Sequence, residues 1–174
     1  MNSSISLKSF AIFGVIFAFV LGCLLHFVYG LSGNNYYVGF FSPVNESVWE
    51  HLKLAFYAWL IYGLICYPLL KDTTHNYWLA LALGPLLANL FIIIFFYTYS
   101  GIMGHSIFIL NILSFLIACV IAGYTFYKVL TLPDYGPCYN LLGFLFIISM
   151  IFLFTYFTYH PLDIPLFTDW GAKS

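Results

Sequence analysis

Five apolar runs, each long enough to cross a hydrocarbon core, dominate this chain; they lie near residues 7–29, 48–70, 77–97, 106–130 and 139–159. A crossing takes roughly 20 residues of helix, because the core is about 30 Å thick and a helix rises about 1.5 Å per residue. Backbone N–H and C=O groups find no partner in lipid, and runs of this length satisfy them internally as helices. The predicted fold is therefore all-α, an integral membrane bundle of five transmembrane helices in a single membrane domain over residues 1–174. An interfacial tail, broken by Pro161 and Pro165, occupies 161–174.

Charge supports the same solvent. Soluble domains carry about 25% charged residues, whereas this chain has 6%, with 63% hydrophobic residues. There are five lysines and no arginine, so there is no basic patch for nucleic acid and no polybasic tail for anionic lipid. The lipid bilayer is the expected partner, nucleic acid is excluded, and a homo-oligomer stays open. Cys23, Cys66 and Cys119 fall inside apolar runs without a CxxC pair, as packing residues do. Val20-Leu21-Gly22-Cys23 has the outline of a lipoprotein cleavage site, but Leu24, Leu25, Phe27 and Val28 continue the apolar run, as an uncleaved helix would.

Five crossings put the N-terminus and the second and fourth connections on one side, with Lys8, Lys71 and Lys128; Lys53 and Lys173 fall on the other. Positive residues favour the cytoplasm, which predicts a cell-membrane protein with its N-terminus inside and its C-terminus outside. The same alternation gathers His26, Glu46, Glu50, His51, Lys53, His105, His160 and Asp163 at the outer leaflet, leaving His75 opposite. Small residues at helical spacing mark packed faces. Gly14, Ala18 and Gly22 continue into His26, and His51 shares a face with Ala55 and Ala58. Gly84-Pro85 interrupts the third run, and Asn89 is expected to bond across to Asn111.

The densest polar stretch is Ser42-Pro43-Val44-Asn45-Glu46-Ser47-Val48-Trp49-Glu50-His51-Leu52-Lys53, at the mouth of the second helix. Part of it has an ordinary account. Ser47 and Glu50 fit a capping box, Glu50 can pair with Lys53, and Trp49 suits an interfacial anchor. Ionisable groups at membrane depth are costly, so the surplus asks for a further role. Glu46 or Glu50 with His51 forms a candidate acid–base pair, with Lys53 to steady an oxyanion. His26, His51, His105 and His160 form a candidate metal set, for a divalent transition metal such as zinc, although no HxxxH, HExxH or HxxE spacing accompanies them. A polar network that merely holds the bundle together is the third account.

The block from Ser42 to Lys53, preceded by His26-Phe27 and Ser32-Gly33-Asn34-Asn35, resembles an uncharacterised family of small multipass membrane proteins. The ending from Phe157-Thr158-Tyr159-His160-Pro161 to Pro165-Leu166-Phe167-Thr168-Asp169 is similar to that family's tail, except that a second proline is expected where Leu162 stands. The resemblance covers most of the chain. It implies a membrane fold and singles out the block, and it implies no activity, substrate or cofactor. The sequence thus points to a multi-pass membrane protein with a polar ligand or metal pocket at the outer leaflet. The alternatives are a membrane-embedded enzyme acting on a lipid or small amphiphile, and a small carrier, channel or assembly partner.

Overall fold

A computed structural model describes residues 3–170 and is all-helical. Its long helices are α1 (Ser3–Leu31), α2 (Val48–Leu70), α3 (Tyr77–Met103), α4 (Phe108–Leu130) and α5 (Pro137–Tyr159). Each is long and apolar enough to span a membrane. Short 3-10 turns at Val38–Phe40 and Pro165–Phe167 interrupt the α1–α2 loop and the tail. Met1, Asn2 and the last four residues, with Lys173, lie outside the described residues.

The ends of the helices follow local chemistry. α2 coincides with the expected run. α3 continues beyond Tyr97 because Thr98 and Ser100 return their hydroxyls to the carbonyls of Ile94 and Phe96, so polar residues stay inside the helix. It stops at Gly104, whose φ of 78° is a left-handed cap. α5 begins at Pro137, which supplies no N–H where the first helical turn needs none.

α2 is the hub. It packs against all four other helices, which surround it in the order α1, α4, α3, α5. Accordingly 67% of the α2 span is buried, against 28% for α1 and 22% for α5. Among the described residues α1 and α5 share no packed contact, and the 38–40 turn touches both and bridges them at one end. The small residues allow this closeness. A Cβ at Gly14 would lie 2.6 Å from the Trp59 ring, and one at Gly84 would lie 3.0 Å from the Ala122 carbonyl oxygen. Outward faces are apolar: Phe13, Val20 and Phe27 on α1, and Leu141, Ile148 and Phe152 on α5, are exposed. Such surfaces suit lipid far better than water.

Two expectations are corrected. Trp49 is no interfacial anchor: it is buried against Phe154, Phe157 and Phe167. Asn89 does not reach Asn111. The Asn111 amide oxygen accepts the Tyr99 hydroxyl and its NH2 donates to Ser106 Oγ, while Asn89 Oδ1 is buried without a hydrogen-bond partner. Tyr99 stands level with Asn111, whereas Asn89 lies about 15 Å away along the α3 axis.

At the end opposite the polar block, two asparagines tie the connections together. Asn76 donates to the Pro133 carbonyl at 2.8 Å and accepts the Tyr135 N–H at 3.2 Å. Asn140 accepts the Trp78 N–H at 3.0 Å and donates to the His75 carbonyl. Every partner is backbone, so this end is stitched shut. Between the two ends Trp59, Phe56, Phe126 and Leu81 fill the interior.

Candidate functional site

The α2 N-terminus is set by Ser47, whose Oγ accepts the Glu50 N–H at 3.3 Å. The second half of the expected capping box is missing. Asn45 Oδ1 takes the Ser47 N–H at 2.9 Å, and Glu50 is thereby released to do something else. It turns toward α5. Glu50 Oε2 accepts the Val44 N–H at 2.9 Å and lies 2.6 Å from Lys53 Nζ. Lys53 also donates to the carbonyls of Gly39 at 2.8 Å and Ser42 at 3.0 Å, and to Thr158 Oγ1 at 3.0 Å. Thr158 Oγ1 in turn lies 2.9 Å from Glu50 Oε1. With side-chain exposures of 2% and 0%, Glu50 and Lys53 are sealed from solvent, and both carboxylate oxygens and the ammonium have hydrogen-bonding partners. This closed network joins α2, α5 and the 38–44 segment.

His51 lies about 100° further round the helix and points the other way. Its Nδ1 donates to the Ser47 carbonyl at 2.8 Å. That bond fixes the tautomer, so a neutral ring presents the Nε2 lone pair. His51 Nε2 is 3.2 Å from His26 Nε2 and 3.3 Å from Glu46 Oε2, and His26 Nε2 is 3.7 Å from Glu46 Oε1. Glu46 precedes α2, so the helix backbone does not place it on the face that carries Glu50 and Lys53. His26 is brought to this point by Ser42. The Ser42 hydroxyl donates to the Leu25 carbonyl at 2.5 Å and accepts the Tyr29 N–H at 3.0 Å. It thereby sits between two groups that a regular helix would pair. The loop that carries Glu46 is pinned to α1 by Ser42 and to α2 and α5 by Lys53.

Among the described residues, His26, Glu46 and His51 form the one grouping of His, Cys, Asp and Glu whose ligand atoms all lie within 4.8 Å of one another. His105 and His160 do not join it. His105 is exposed on the α3–α4 connection, and His160 bonds the Tyr156 carbonyl and stacks on the Tyr156 ring. Of the four candidate histidines the structure brings His26 and His51 together, with Glu46 beside them. Glu46 is about half exposed, and the neighbouring His26 and then His51 hold its carboxyl well below the usual range. Zinc–nitrogen and zinc–oxygen bonds are about 2.0–2.2 Å, so ligands around one tetrahedral ion sit roughly 3.3–3.5 Å apart. The His26–His51 separation of 3.2 Å and the His51–Glu46 Oε2 separation of 3.3 Å fall close to that figure, while the 3.7 Å from His26 is to the other Glu46 oxygen, Oε1.

Glu46 and His51 also line a cavity of about 300 Å³ between α2, α3 and α4. Its walls are Leu54, Ile92, Phe96 and Phe115, with Ser106 and Asn111 as further polar groups and Trp170 from the tail against it. Glu50 and Lys53 do not line it. The expected convergence of Glu50 and His51 on one pocket is therefore absent; their carboxylate and imidazole serve different neighbours.

Sequence reasoning missed Ser42, Thr158 and Trp170. Thr158 shares the buried stripe of α5 with Gly143, Ile147 and Phe154, but α5 is apolar all round, so its sequence does not mark that face. Ser42 and Trp170 lie in irregular segments where no periodicity reports burial.

The fold and this cluster define an all-helical protein with five membrane-length helices and a His–His–Glu triad at one end. Residues 1–172 match the model of a family described as a family of unknown function (DUF6512), and the chain belongs to that family. No curated protein and no solved structure matches the chain. Function must therefore be argued from the site itself.

Proposed function

We propose that this is a multipass protein of the cell membrane that holds a divalent transition metal, zinc fitting best, between His26, Glu46 and His51. The observation that carries the reading is that His26, Glu46 and His51 each offer a ligand atom within 4.8 Å of the other two, with the tautomer of His51 set by Ser47. Two imidazole nitrogens and a carboxylate oxygen are the donor set of a zinc site that keeps a fourth position for water or substrate. The adjoining cavity is the space from which that fourth ligand comes. Under this reading Glu46 and His51 are ligands, and Glu50 and Lys53 position the loop that carries Glu46. When bound, zinc would polarise an oxygen ligand and lower the pKa of a water, chemistry that would serve a membrane enzyme acting on a lipid or small amphiphile.

The burial of Lys53 supports the orientation with the N-terminus cytoplasmic. Neutralised by Glu50 inside the bundle, Lys53 no longer counts as a loop charge, which leaves Lys8, Lys71 and Lys128 against Lys173.

The test is elemental analysis of the detergent-purified protein after zinc loading and desalting. Near-stoichiometric zinc is expected in the wild type and in His160→Ala, with loss in His26→Ala and His51→Ala. A folded wild-type protein that takes up no metal would overturn the reading. The specific competitor is a triad held together by protons, which the depressed Glu46 carboxyl also suits. It predicts the same stability with and without zinc, whereas a metal site is stabilised by its ion.

A further inference from the structure

Resting on the metal reading above, we propose that the cavity beside the triad binds a single-chain fatty carboxylate, its head on the metal and its chain between α2, α3 and α4.

The cavity has a mixed lining of polar and apolar side chains. Glu46, His51, Ser106, Asn111 and Ser114 supply its polar groups, and Leu54, Ile92, Phe96 and Phe115 are apolar. Small-molecule sites combine those two features: an apolar enclosure that supplies affinity and a few converging polar groups that fix orientation. Such sites range over about 300–1,000 Å³. The 300 Å³ here is at the lower bound, enough for one chain and too little for a two-chain lipid.

The chemistry of the polar groups selects the head group. Zinc with one carboxylate and two neutral imidazoles carries a net charge of +1, which an anionic oxygen ligand neutralises. Ser106 adds a donor. Its Oγ accepts the Asn111 NH2 at 3.0 Å, so its own O–H proton is left to give. Asn111 cannot swing away, because its oxygen is held by Tyr99 from α3. Ser106 lines the same cavity as Glu46 and His51, so a carboxylate there has both a cationic centre and a hydroxyl donor to satisfy it. A neutral alcohol would satisfy one of these groups only.

The position of the opening fits an amphiphile. Phe108 lines the cavity and is among the most exposed side chains of the molecule, at the first turn of α4. The cavity therefore meets the surface level with the helix ends, where the head of a membrane-dissolved amphiphile rests and its chain points toward the bilayer centre. A freely soluble polar metabolite would gain nothing from Leu54, Ile92 and Phe115.

The experiment uses the full chain, zinc-loaded, in phosphatidylcholine nanodiscs, titrated with dodecanoate and with acetate by calorimetry. Saturable one-to-one binding of dodecanoate is expected, at least tenfold tighter than acetate. Chelator-stripped protein should bind dodecanoate at least tenfold more weakly. Ile92→Trp, which fills the cavity, should keep its zinc and lose dodecanoate binding at least tenfold. Leu54→Phe gives a second filling variant should Ile92→Trp not fold, with the same expected result. Ser106→Ala should weaken binding several-fold without changing zinc content. Zinc retained with no saturable dodecanoate binding, or with binding indifferent to both filling variants, overturns this inference and leaves the metal reading standing. Equal dodecanoate affinity with and without zinc overturns the head-group assignment. A protein that takes no zinc fails at the earlier step, and both readings fall.

Discussion

Glu46 and Glu50 stand four residues apart at the start of one helix and live under opposite rules. Glu50 is sealed in, and its oxygens face an ammonium, a backbone N–H and a hydroxyl. Glu46 is about half exposed and faces two imidazole nitrogens. The first carboxylate has nothing left to offer, so it is scaffold. The second sits in a group that is incomplete without a cation, a proton or a metal. The difference teaches that ionisable residues at a membrane helix end are sorted by saturation. Clustering in the chain says where they are, and the count of satisfied partners says what they are for.

The comparison is most easily broken at Lys53. Lys53→Met leaves Glu50 buried without its counter-charge and strips a donor from the Gly39 and Ser42 carbonyls. Breaking a buried pair from one side costs about 3–5 kcal/mol, and unfolding in detergent should read a loss of that size. The Glu50→Gln/Lys53→Met double variant removes the orphaned charge and should recover part of it. If Lys53→Met destabilises no more than Glu46→Gln does, the two carboxylates are not different in kind.

Ser42 ranks next, because it links the two regions. Ser42→Ala deprives the Leu25 carbonyl and the Tyr29 N–H of their shared partner, a loss of about 1–3 kcal/mol. It also frees the turn of α1 that presents His26. Supporting groups behind metal ligands are worth about 10–100-fold in affinity. Zinc titration should show a weakening in that range, and His26→Ala should abolish binding. Unchanged zinc affinity in a measurably destabilised Ser42→Ala protein would show that the latch does not position the triad.

Much of this was legible beforehand, for identifiable reasons. The five helices follow from run length and hydropathy, which the bilayer makes decisive. The stripe of Gly14, Ala18 and Gly22 put His26 on a packed face, and Ala55 and Ala58 did the same for His51; the two rings do meet. The division of labour between Glu46 and Glu50 was not legible. It depends on Asn45 capturing the Ser47 N–H, one local bond that decides which way Glu50 turns. His105 and His160 were drawn in by membrane side alone, and sharing a leaflet places residues in a layer tens of ångströms wide. Contact needs adjacency around α2, and the order α1, α4, α3, α5 is set by long-range packing that helical periodicity does not encode.

The smallest effect is on the pH profile, and it sharpens the other side of the comparison. In chelator-stripped protein the groups facing Glu46 are His26 and His51. They hold its carboxyl below the usual range in the folded state. A depressed folded value means the stabilisation is complete above the unfolded value and is lost as pH falls through the folded one. Because Glu46 is about half exposed, solvent screening limits the contribution to at most about 1 kcal/mol. Wild type should therefore exceed Glu46→Gln by up to that amount at neutral pH, and the gap should persist past the ordinary carboxylate range before closing in stronger acid. Zinc changes the shape. Protons compete with the ion for the same three ligands, so loaded protein should lose its added stability on acidification while the Glu46 gap in stripped protein is still open. Stability curves that are superimposable with and without zinc at every pH would assign the triad to protons alone.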